Sequence, residues 1–324
     1  MTDAPRSMRS IAELALEYIN ELDDRAKGGE KHYISSPFCD LDAIDPSWLH
    51  EGHLIVAAGR PGMGKTAFAQ QVAEHSATDR TTIFYTLEMS GWEVTQRSIC
   101  RRAGIPLYKL KDSSRLEQED WKKIAAAGGE LTATHMLVDD ASFDVNSLCL
   151  KTKAAGAALE ARGMPPLGLV VVDYLQLVSA GKRSNNRAED VGAVSRGLKL
   201  LARDLSVPVF ALSQLNRNLE GRVDKRPLMA DLRESGAIEQ DADLVLFIYR
   251  DEVYNDSSPD KGVAELIIGK NRHGATGVAK VAWLPERVAF GNLARSTTSS
   301  LAAARNLRTV PGSRGGNDNG RDAW

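Results

Sequence analysis

The chain of 324 residues has little cysteine, little net charge and no long apolar run. Its three cysteines, Cys39, Cys100 and Cys149, are widely spaced and form no CxxC pair, which argues against a disulfide framework or a zinc site and is typical of a reduced cytosolic protein. No apolar run approaches the ~20 residues that span a bilayer, and the N-terminus lacks the apolar stretch of a signal peptide. We therefore expect a soluble, cytoplasmic protein without a membrane partner.

The balance of charge limits the ways in which the chain can bind nucleic acid. The formal net charge is -2 at pH 7, so DNA or RNA would have to be bound by local basic patches and not by a global field. The length is sufficient to bury a full core. It favours one large α/β domain with appendages over several equal domains.

The most specific pattern is GRPGMGKT at residues 59–66, directly after the apolar run LIVAA at 54–58. It fits the phosphate-binding consensus GxxxxGK[ST], with a strand expected before it and a helix after it. Glycines let backbone amides approach the phosphates, the lysine neutralises the outer phosphate oxygens, and the threonine hydroxyl can ligate Mg²⁺. We therefore predict a nucleoside triphosphate site at Gly62, Gly64, Lys65 and Thr66.

The first predicted element is a short amphipathic helix. Ser10 is its expected N-cap, Glu13 completes a capping box, and one apolar stripe runs along it. The stripe consists of Ile11, Leu14, Tyr18 and Leu22. It must be covered, and both packing on its own domain and packing on a neighbouring subunit are consistent with the flexible break that follows at residues 26–30.

Strand and helix patterns alternate from about Pro37 to Asn292, which predicts an α/β fold with a mainly parallel sheet, helices on both faces and antiparallel strands at one edge. After Ala294 the composition changes to small and polar residues, so a disordered tail is expected. Ligands of such sheets bind at the carboxyl ends of the strands. The expected strands are His53 to Ala58, Thr81 to Thr86, His135 to Val138, Leu169 to Asp173, Val207 to Leu212, Asp243 to Tyr249, Val263 to Ile268 and Val278 to Trp283.

Three expected strands end in polar side chains that suit nucleotide hydrolysis. Asp173 ends the apolar strand LVVVD and is expected beside the phosphate loop, where it can hold the water shell of Mg²⁺. Glu88 follows the strand at 82–87 and is the candidate that orients the attacking water. Gln214 follows the strand at 209–212, close to where a terminal phosphate would lie.

Five segments resemble motifs of the C-terminal ATPase domain of DnaB-family replicative helicases. The match runs in order from about Pro37 to Asn292. The resemblance implies a RecA-like P-loop NTPase fold and a homohexameric ring that uses ATP to move 5′ to 3′ along single-stranded DNA and unwinds duplex DNA during replication. The segments are TLEMS at 86–90, VVDYLQL at 171–177, ALSQLNR at 211–217, DKRPLMADLRESGAIEQDADLVLFIYRDE at 224–252 and IIGKNRHGATG at 267–277.

The resemblance also implies roles for individual residues. Glu88 would be the catalytic carboxylate, Gln214 the γ-phosphate sensor, and Lys270 and Arg272 would reach into the neighbouring subunit's site, so that activity depends on assembly. Mg²⁺ would be held by Thr66 and Asp173. The implied nucleotide-binding residues are Gly62, Gly64, Lys65, Thr66, Ala67 and Arg97.

DNA contacts are expected from loops that face the channel of the ring. The resemblance points to Arg233, Glu234 and Gly236 in the segment DLRESG, where a side chain and backbone amides can bind phosphates without reading bases. The basic loop at 181–187 is a second candidate for DNA contact, although a solvated surface loop without a binding role explains its composition equally well. Aromatic stacking platforms are not evident near these loops, which favours backbone tracking.

The chain departs from the family pattern in two respects. Full-length members carry a helical N-terminal domain that has no counterpart here, so we expect a naturally short helicase, of phage or plasmid type, or a fragment, and primase docking is in doubt. The helix from Ser10 to Leu22 stands where the family's linker helix docks on the adjacent subunit. In the loop that carries Lys270 and Arg272, His273 and Ala275 replace the family's usual Asn and Pro.

The predicted organisation is a linker helix at 1–30, an ATPase domain at 31–294 and a tail at 295–324.

Two other functions share much of this pattern. A RecA-type recombinase or repair ATPase has the same fold and phosphate loop but forms open filaments, and the segments DLRESGAIEQDAD and GKNRHG favour the ring helicase over it. A nucleotide-gated ring that loads or recruits other proteins without unwinding DNA is the second alternative, whereas a helicase would have a helicase loader or a primase as a possible partner. The intact Lys65, Glu88 and Arg272 argue against this second alternative.

Overall fold

The computed structural model describes residues 8–29, 31–141, 144–181, 187–232 and 236–294. By its contacts the chain divides into two units, residues 1–292 and 293–324, and the first unit contains the helices and strands of the fold. The tail predicted at 295–324 lies outside the described residues, and the predicted domain boundaries stay predictions. Within the described ranges, no helix has both the length and the apolar character needed to cross a membrane.

Helices and strands alternate along most of the chain, as expected. The helices are α1 Ile11–Ala26, α2 Cys39–Asp42, α3 Lys65–Ser76, α4 Gly91–Ala103, α5 Leu107–Lys111, α6 Gln118–Thr132, α7 Val145–Ala161, α8 Arg187–Leu205 and α9 Gly236–Asp241. The strands are β1 Tyr33–Ile34, β2 Leu49–His50, β3 Leu54–Gly59, β4 Thr81–Thr86, β5 Met136–Asp139, β6 Leu167–Asp173, β7 Val209–Gln214, β8 Leu244–Tyr249, β9 Val263–Asn271, β10 Gly277–Leu284 and β11 Ala289–Asn292.

In the described part of the chain, nine strands form one sheet in the order β11-β10-β9-β8-β3-β7-β6-β4-β5. The strands from β8 to β5 in this order pair in parallel. The strands β9, β10 and β11 extend the sheet beyond β8 by antiparallel pairing. The expected mainly parallel sheet with antiparallel strands at one edge is confirmed.

The central strand β3 is buried at all six positions. Parallel strands that are covered on both faces read as continuous apolar runs, and the sequence LIVAAG has that character. Helix α3 packs on one face of the sheet, over an aromatic core that includes Phe68 and Phe210. Helices α7 and α8 pack on the other face, where Val194, Leu198 and Leu201 of α8 are buried. The prediction of helices on both faces is therefore confirmed.

Helix α1 begins with the predicted capping box. The backbone N–H of Ser10 donates to the Glu13 carboxylate at 3.0 Å, and the backbone N–H of Glu13 donates to the Ser10 hydroxyl at 3.2 Å. The apolar stripe of this helix remains exposed, with Ile11 at 82% and Tyr18 at 56% relative exposure. The described residues of its own domain therefore leave the stripe largely uncovered.

The antiparallel edge contains a strand that the sequence pattern did not predict. Strand β11 pairs with β10 and is tied to α3 by the Gln71 amide, which accepts from the Phe290 N–H at 2.7 Å and donates to the Phe290 carbonyl at 2.8 Å. Four residues with a glycine among them carry little periodic signal. The short pair β1 and β2 was missed for the same reason.

Candidate nucleotide-binding site

The phosphate loop joins the carboxyl end of β3 to the start of α3. Gly62 has φ of 80° and Gly64 has φ of 98°, a left-handed region that side chains with a Cβ rarely adopt. A Cβ at Gly64 would also lie 2.7 Å from Cζ of Phe290. Both the backbone and the packing therefore require glycine at position 64, and the loop delivers Lys65 to the first turn of α3.

The loop forms one wall of a pocket of about 340 Å³ at the carboxyl edge of the sheet. The pocket brings together most of the predicted site residues. Those that line it are Gly62, Gly64, Lys65, Thr66, Ala67, Glu88, Arg97 and Gln214. The sequence reasoning missed four further lining residues, Pro61, Tyr174, Trp283 and Val288. Tyr174 directly follows Asp173 and was open to prediction, whereas Trp283 and Val288 reach the pocket only through the antiparallel strands.

Lys65, which is half-buried, and Asp173, which is buried, carry opposite charges that interact in this site. Burial lowers the pKa of Lys65, and the carboxylates of Asp173 and Glu88 act against that shift. Burial raises the pKa of Asp173 to about 6, with Glu88 adding to the rise while the Thr66 hydroxyl and Lys65 oppose it. The ammonium of Lys65 also donates to the Arg60 carbonyl at 3.3 Å. Both charged forms are therefore short of solvation and suited to a charged ligand.

The carboxyl group of Asp173 provides a fit for a divalent cation. Its Oδ2 atom is buried and accepts no hydrogen bond from the described residues. An unsatisfied buried acceptor is costly unless a ligand completes it. Mg²⁺ is commonly held by one or two carboxylates together with phosphates and water, so Asp173 and the neighbouring Thr66 hydroxyl are suitable donors.

Strand order and register place Gln214 between the phosphate loop and Asp173, with Glu88 on the far side of Asp173. Thr86 is the partner of Asp173 between β4 and β6, and the Leu87 N–H donates to the Asp173 carbonyl at 2.9 Å, so Glu88 follows immediately. Gln214 is the register partner of Gly59, the first residue of the loop. Its N–H donates to the Gln176 amide at 3.3 Å. Gln176 lies within the recognised segment VVDYLQL, but its supporting contact was not predicted.

Arg60, inside the phosphate loop, is a further residue to which the sequence reasoning gave no role. Its guanidinium donates to Glu220 at 2.8 Å and to the Leu215 carbonyl at 3.0 Å. Leu215 directly follows Gln214 and forms an isolated antiparallel bridge with Leu232. The phosphate loop is thereby attached to the segment that leads to the predicted DNA-contact residues.

Lys270 and Arg272 lie away from the pocket, at the opposite edge of the parallel strands. The Lys270 ammonium donates to the Ala242 carbonyl at 2.7 Å and to the carbonyl of Glu239. Arg272 donates to the carbonyl of Gln240 and pairs with Asp243 at 3.5 Å. Asp243 is bonded to Leu54, at the start of β3, so Arg272 lies five strand residues, or roughly 16 Å, from the loop that follows β3. Within one chain these two residues do not reach the site.

The edge that holds Arg272 has its own polar cluster. The Lys199 ammonium donates to Asp243 at 2.6 Å. Burial opposes ionisation of Asp243, but the hydrogen bonds from Lys199 and the Leu54 N–H hold its pKa below the ordinary value. The ring of His53 stacks between those of His50 and His273, each at 4.6 Å, and burial lowers the pKa of His53 to about 4.

The predicted DNA-contact residues are only partly described. Arg233 and Glu234 lie outside the described residues, as do positions 182–186 of the second candidate loop. Gly236 is exposed and begins helix α9. The preceding Leu232 is buried and forms the bridge with Leu215, which places the start of this segment beside the carboxyl end of β7.

A sequence profile described as "DnaB-like helicase C terminal domain" matches residues 34–292 of the chain. A protein of Pasteurella multocida (strain Pm70) named replicative DNA helicase DnaB is 41% identical over 296 residues, which make up 90% of this chain and 62% of that protein. A relative of the same name from Haemophilus influenzae is 40% identical, and the chain again spans 62% of its length.

Two solved structures are similar in fold and in sequence. One of them, an ATPase domain, superposes with a TM-score of 0.80 at 35% identity, over 89% of this chain and 100% of that chain. The other, described as a DnaB-like replicative helicase and its interactions with primase, superposes with a TM-score of 0.78 at 36% identity, over 89% of this chain and 68% of that chain.

Proposed function

The chain belongs to the family of DnaB-like helicase C-terminal domains, and from this premise we propose that it is the ATP-driven motor of a replicative DNA helicase. It would hydrolyse ATP, with Mg²⁺, to move 5′ to 3′ along single-stranded DNA in the cytoplasm. The observation that carries the proposal is the convergence of Lys65, Glu88 and Gln214 on one pocket beside the unsatisfied oxygen of Asp173.

The geometry supports a division of labour in hydrolysis. Backbone amides of the phosphate loop and the Lys65 ammonium would bind the phosphates, because the N-terminus of α3 favours negative charge. Glu88 is exposed and lines the pocket, where it could orient an attacking water. Mg²⁺, held by Thr66 and Asp173, would neutralise charge on the phosphates.

Gln214 would sense the state of the terminal phosphate. It lines the pocket, and the chain runs on from it through Leu215 to the segment that precedes Arg233. Arg233, Glu234 and Gly236 would bind the DNA backbone, since phosphate contacts carry affinity without sequence preference. Arg97, on the capped helix α4, would contribute a further positive charge to the nucleotide.

Lys270 and Arg272 would act on the nucleotide of a neighbouring subunit. The separation of Arg272 from the loop of its own chain supports this, because a finger residue must come close to the γ-phosphate. A closed ring places one edge of each subunit against the next, so the site of one chain would be completed by another. We propose a homohexamer on this basis.

Helix α1 would contribute to the same assembly as a linker helix. Its four stripe residues are exposed, and a long exposed apolar stripe is typical of a surface that another chain covers. A helicase loader or a primase remains a candidate partner. The similar structure described with primase supports that suggestion.

A single experiment tests the proposed function. We would measure ATP hydrolysis with and without single-stranded DNA over a range of protein concentrations. A site completed in trans predicts that turnover rises more than linearly with protein concentration and increases with DNA. Turnover that is linear in protein and indifferent to DNA would contradict the ring motor and favour a nucleotide-gated loading ring.

A further inference from the structure

We propose that Arg250, which follows strand β8, is a positioning residue that holds the phosphate loop in its binding conformation. The inference rests on the proposed nucleotide-binding function and assigns to that function a residue outside the recognised phosphate-loop pattern. Arg250 would act through the peptide between Gly62 and Met63 and would not touch the nucleotide.

The Arg250 guanidinium makes three kinds of contact at once. Its Nη1 donates to the Gly62 carbonyl at 3.0 Å, and its Nε donates to the Glu252 carboxylate at 3.0 Å. It lies over the Trp283 ring, with Cζ 4.4 Å from the ring centroid. The side chain is only 11% exposed. A planar fork with several fixed donors is suited to this combination, and a lysine ammonium cannot reproduce it.

The partners of Arg250 are themselves fixed by the antiparallel strands. Glu252 accepts from the Gly262 N–H at 2.8 Å, and the Gly262 carbonyl accepts from the Trp283 N–H at 2.7 Å. Trp283 also closes the space beside Gly64, where a Cβ would lie 3.1 Å from the indole ring. Arg250 therefore connects the phosphate loop to Trp283 of β10 and, through Glu252, to Gly262, which directly precedes β9.

A short sequence of contacts leads from Arg250 to the catalytic lysine. Because a peptide unit is planar, fixing the Gly62 carbonyl also fixes the direction of the Met63 N–H. That N–H donates to the Arg60 carbonyl at 3.3 Å. The same carbonyl accepts from the Lys65 ammonium at 3.3 Å. Loss of the Arg250 contact should therefore loosen both the loop amides and the position of Lys65.

Arg226 provides a matched control within the same chain. Its guanidinium donates to Glu265 at 2.7 and 2.9 Å and lies over the Tyr249 ring at 5.4 Å, so it repeats the carboxylate fork and the aromatic contact. Its described hydrogen bonds and ion pairs are to Asp224 and Glu265 and, as acceptor, from Arg222, and none is to the phosphate loop. Comparing the two arginines isolates the bond to Gly62.

The experiment measures binding of a fluorescent ATP analogue with Mg²⁺ to the full chain without DNA, alongside the melting temperature. We expect Arg250→Lys to raise the Kd about tenfold, since a charge-assisted hydrogen bond that orders the loop is lost. Glu252→Gln weakens the same anchor and should raise the Kd about threefold. Arg226→Lys should leave the Kd within about twofold of wild type while lowering the melting temperature to a similar extent.

Each outcome decides the inference. A Kd that rises for Arg250→Lys and stays near the wild-type value for Arg226→Lys supports it. An unchanged Kd for Arg250→Lys, or an equal rise for Arg226→Lys, overturns it, because a general loss of stability would then explain the effect. If Arg250→Lys does not fold, Glu252→Gln decides, and an unchanged Kd in that variant overturns the inference. Failure of the wild-type chain to bind the analogue would instead overturn the proposed function, and the inference with it.

Discussion

Polar groups at the two edges of the main sheet are used in different ways. At the carboxyl edge they converge on an open pocket, and Asp173 keeps a buried oxygen without a hydrogen bond from the described residues. At the opposite edge, Lys270 and Arg272 donate to backbone carbonyls at the end of α9. The first edge is arranged for a charged ligand, whereas the second is satisfied within its own chain.

This difference has a consequence for the proposed trans action. For Arg272 to stabilise a phosphate on a neighbour, it must exchange the Gln240 carbonyl for that phosphate, while Asp243 keeps its bond to Lys199. Carbonyl oxygens at a helix C-terminus carry partial negative charge, so they can hold a cation until a stronger anion replaces them. On this proposal, assembly exchanges the internal contact of Arg272 for a contact with the neighbour's nucleotide, and the pocket at the first edge of that neighbour is completed.

The largest expected effect follows from removing the Arg272 side chain at the second edge. Arg272→Ala should lower ATP turnover by about 10³-fold and leave nucleotide affinity nearly unchanged, because the residue would act on a neighbour's transition state. Turnover and binding are measured on the same preparations. Lys199→Ala removes the other cation from Asp243 and serves as the control, with turnover per folded protein retained.

A mixing experiment sharpens this prediction. Arg272→Ala and Lys65→Ala proteins are each expected to be inactive, but mixed rings would contain sites that have Lys65 from one subunit and Arg272 from the next. Partial recovery of turnover on mixing is therefore expected. If Arg272→Ala keeps normal turnover, or if mixing restores nothing, the assignment in trans is wrong.

The next effect concerns the folding stability that is lost when the buried carboxyl group of Asp173 ionises. With its pKa raised to about 6, native Asp173 retains a proton between about pH 4 and 6 that the unfolded chain has released. Stability therefore falls as pH rises through this window, and the loss is complete above about pH 6. Asp173→Asn cannot ionise and should be about 2 kcal/mol more stable at pH 7.5, with the difference vanishing near pH 4.

Thermal unfolding of both proteins at the two pH values, without nucleotide, checks this expectation. Adding ATP with Mg²⁺ should raise the melting temperature of the wild type more than that of Asp173→Asn, because only the carboxylate suits the cation. A variant that is less stable than wild type at pH 7.5 would mean that Asp173 contributes to folding and is not a strained ligand site.

A smaller effect is expected from the uncovered stripe of α1. Leu14→Glu should weaken self-association about tenfold, because it places a charge in a surface that the neighbouring subunit would cover. Leu16→Glu makes the same change on the opposite face of the same helix and should leave assembly unchanged. Sedimentation velocity measures both, and equal behaviour of the two variants would refute docking of this stripe.

The smallest effect is expected from a substitution in the predicted DNA-contact segment, which should change neither edge of the sheet. Arg233→Ala is expected to weaken binding of single-stranded DNA a few-fold for all sequences and to reduce the salt slope by about one. Fluorescence anisotropy with mixed-sequence and homopolymeric strands at several salt concentrations measures this. A defect confined to some sequences would contradict backbone tracking.

The sequence predicted the polar residues at the carboxyl edge far better than the residues that hold them in position. Buried parallel strands read as apolar runs, so the pattern alone was enough to place their ends at Glu88, Asp173 and Gln214 on one edge. Gln176, Arg60 and Arg250 had no such signal, because their partners are distant in the chain. The four-residue strand β11 was missed since its pairing depends on Gln71 and β10.

By itself the sequence determined the local chemistry: the glycines that allow a phosphate loop, the capped helices and the apolar strands that end in carboxylates. These depend on backbone preference and on the spacing of neighbouring residues, which the chain carries directly. Only the tertiary structure decided that Arg250 holds the loop and that Arg272 is kept away from it. Antiparallel pairing of β9 with β8 carries Arg272 to the far edge, and such long-range register is a property of the folded sheet.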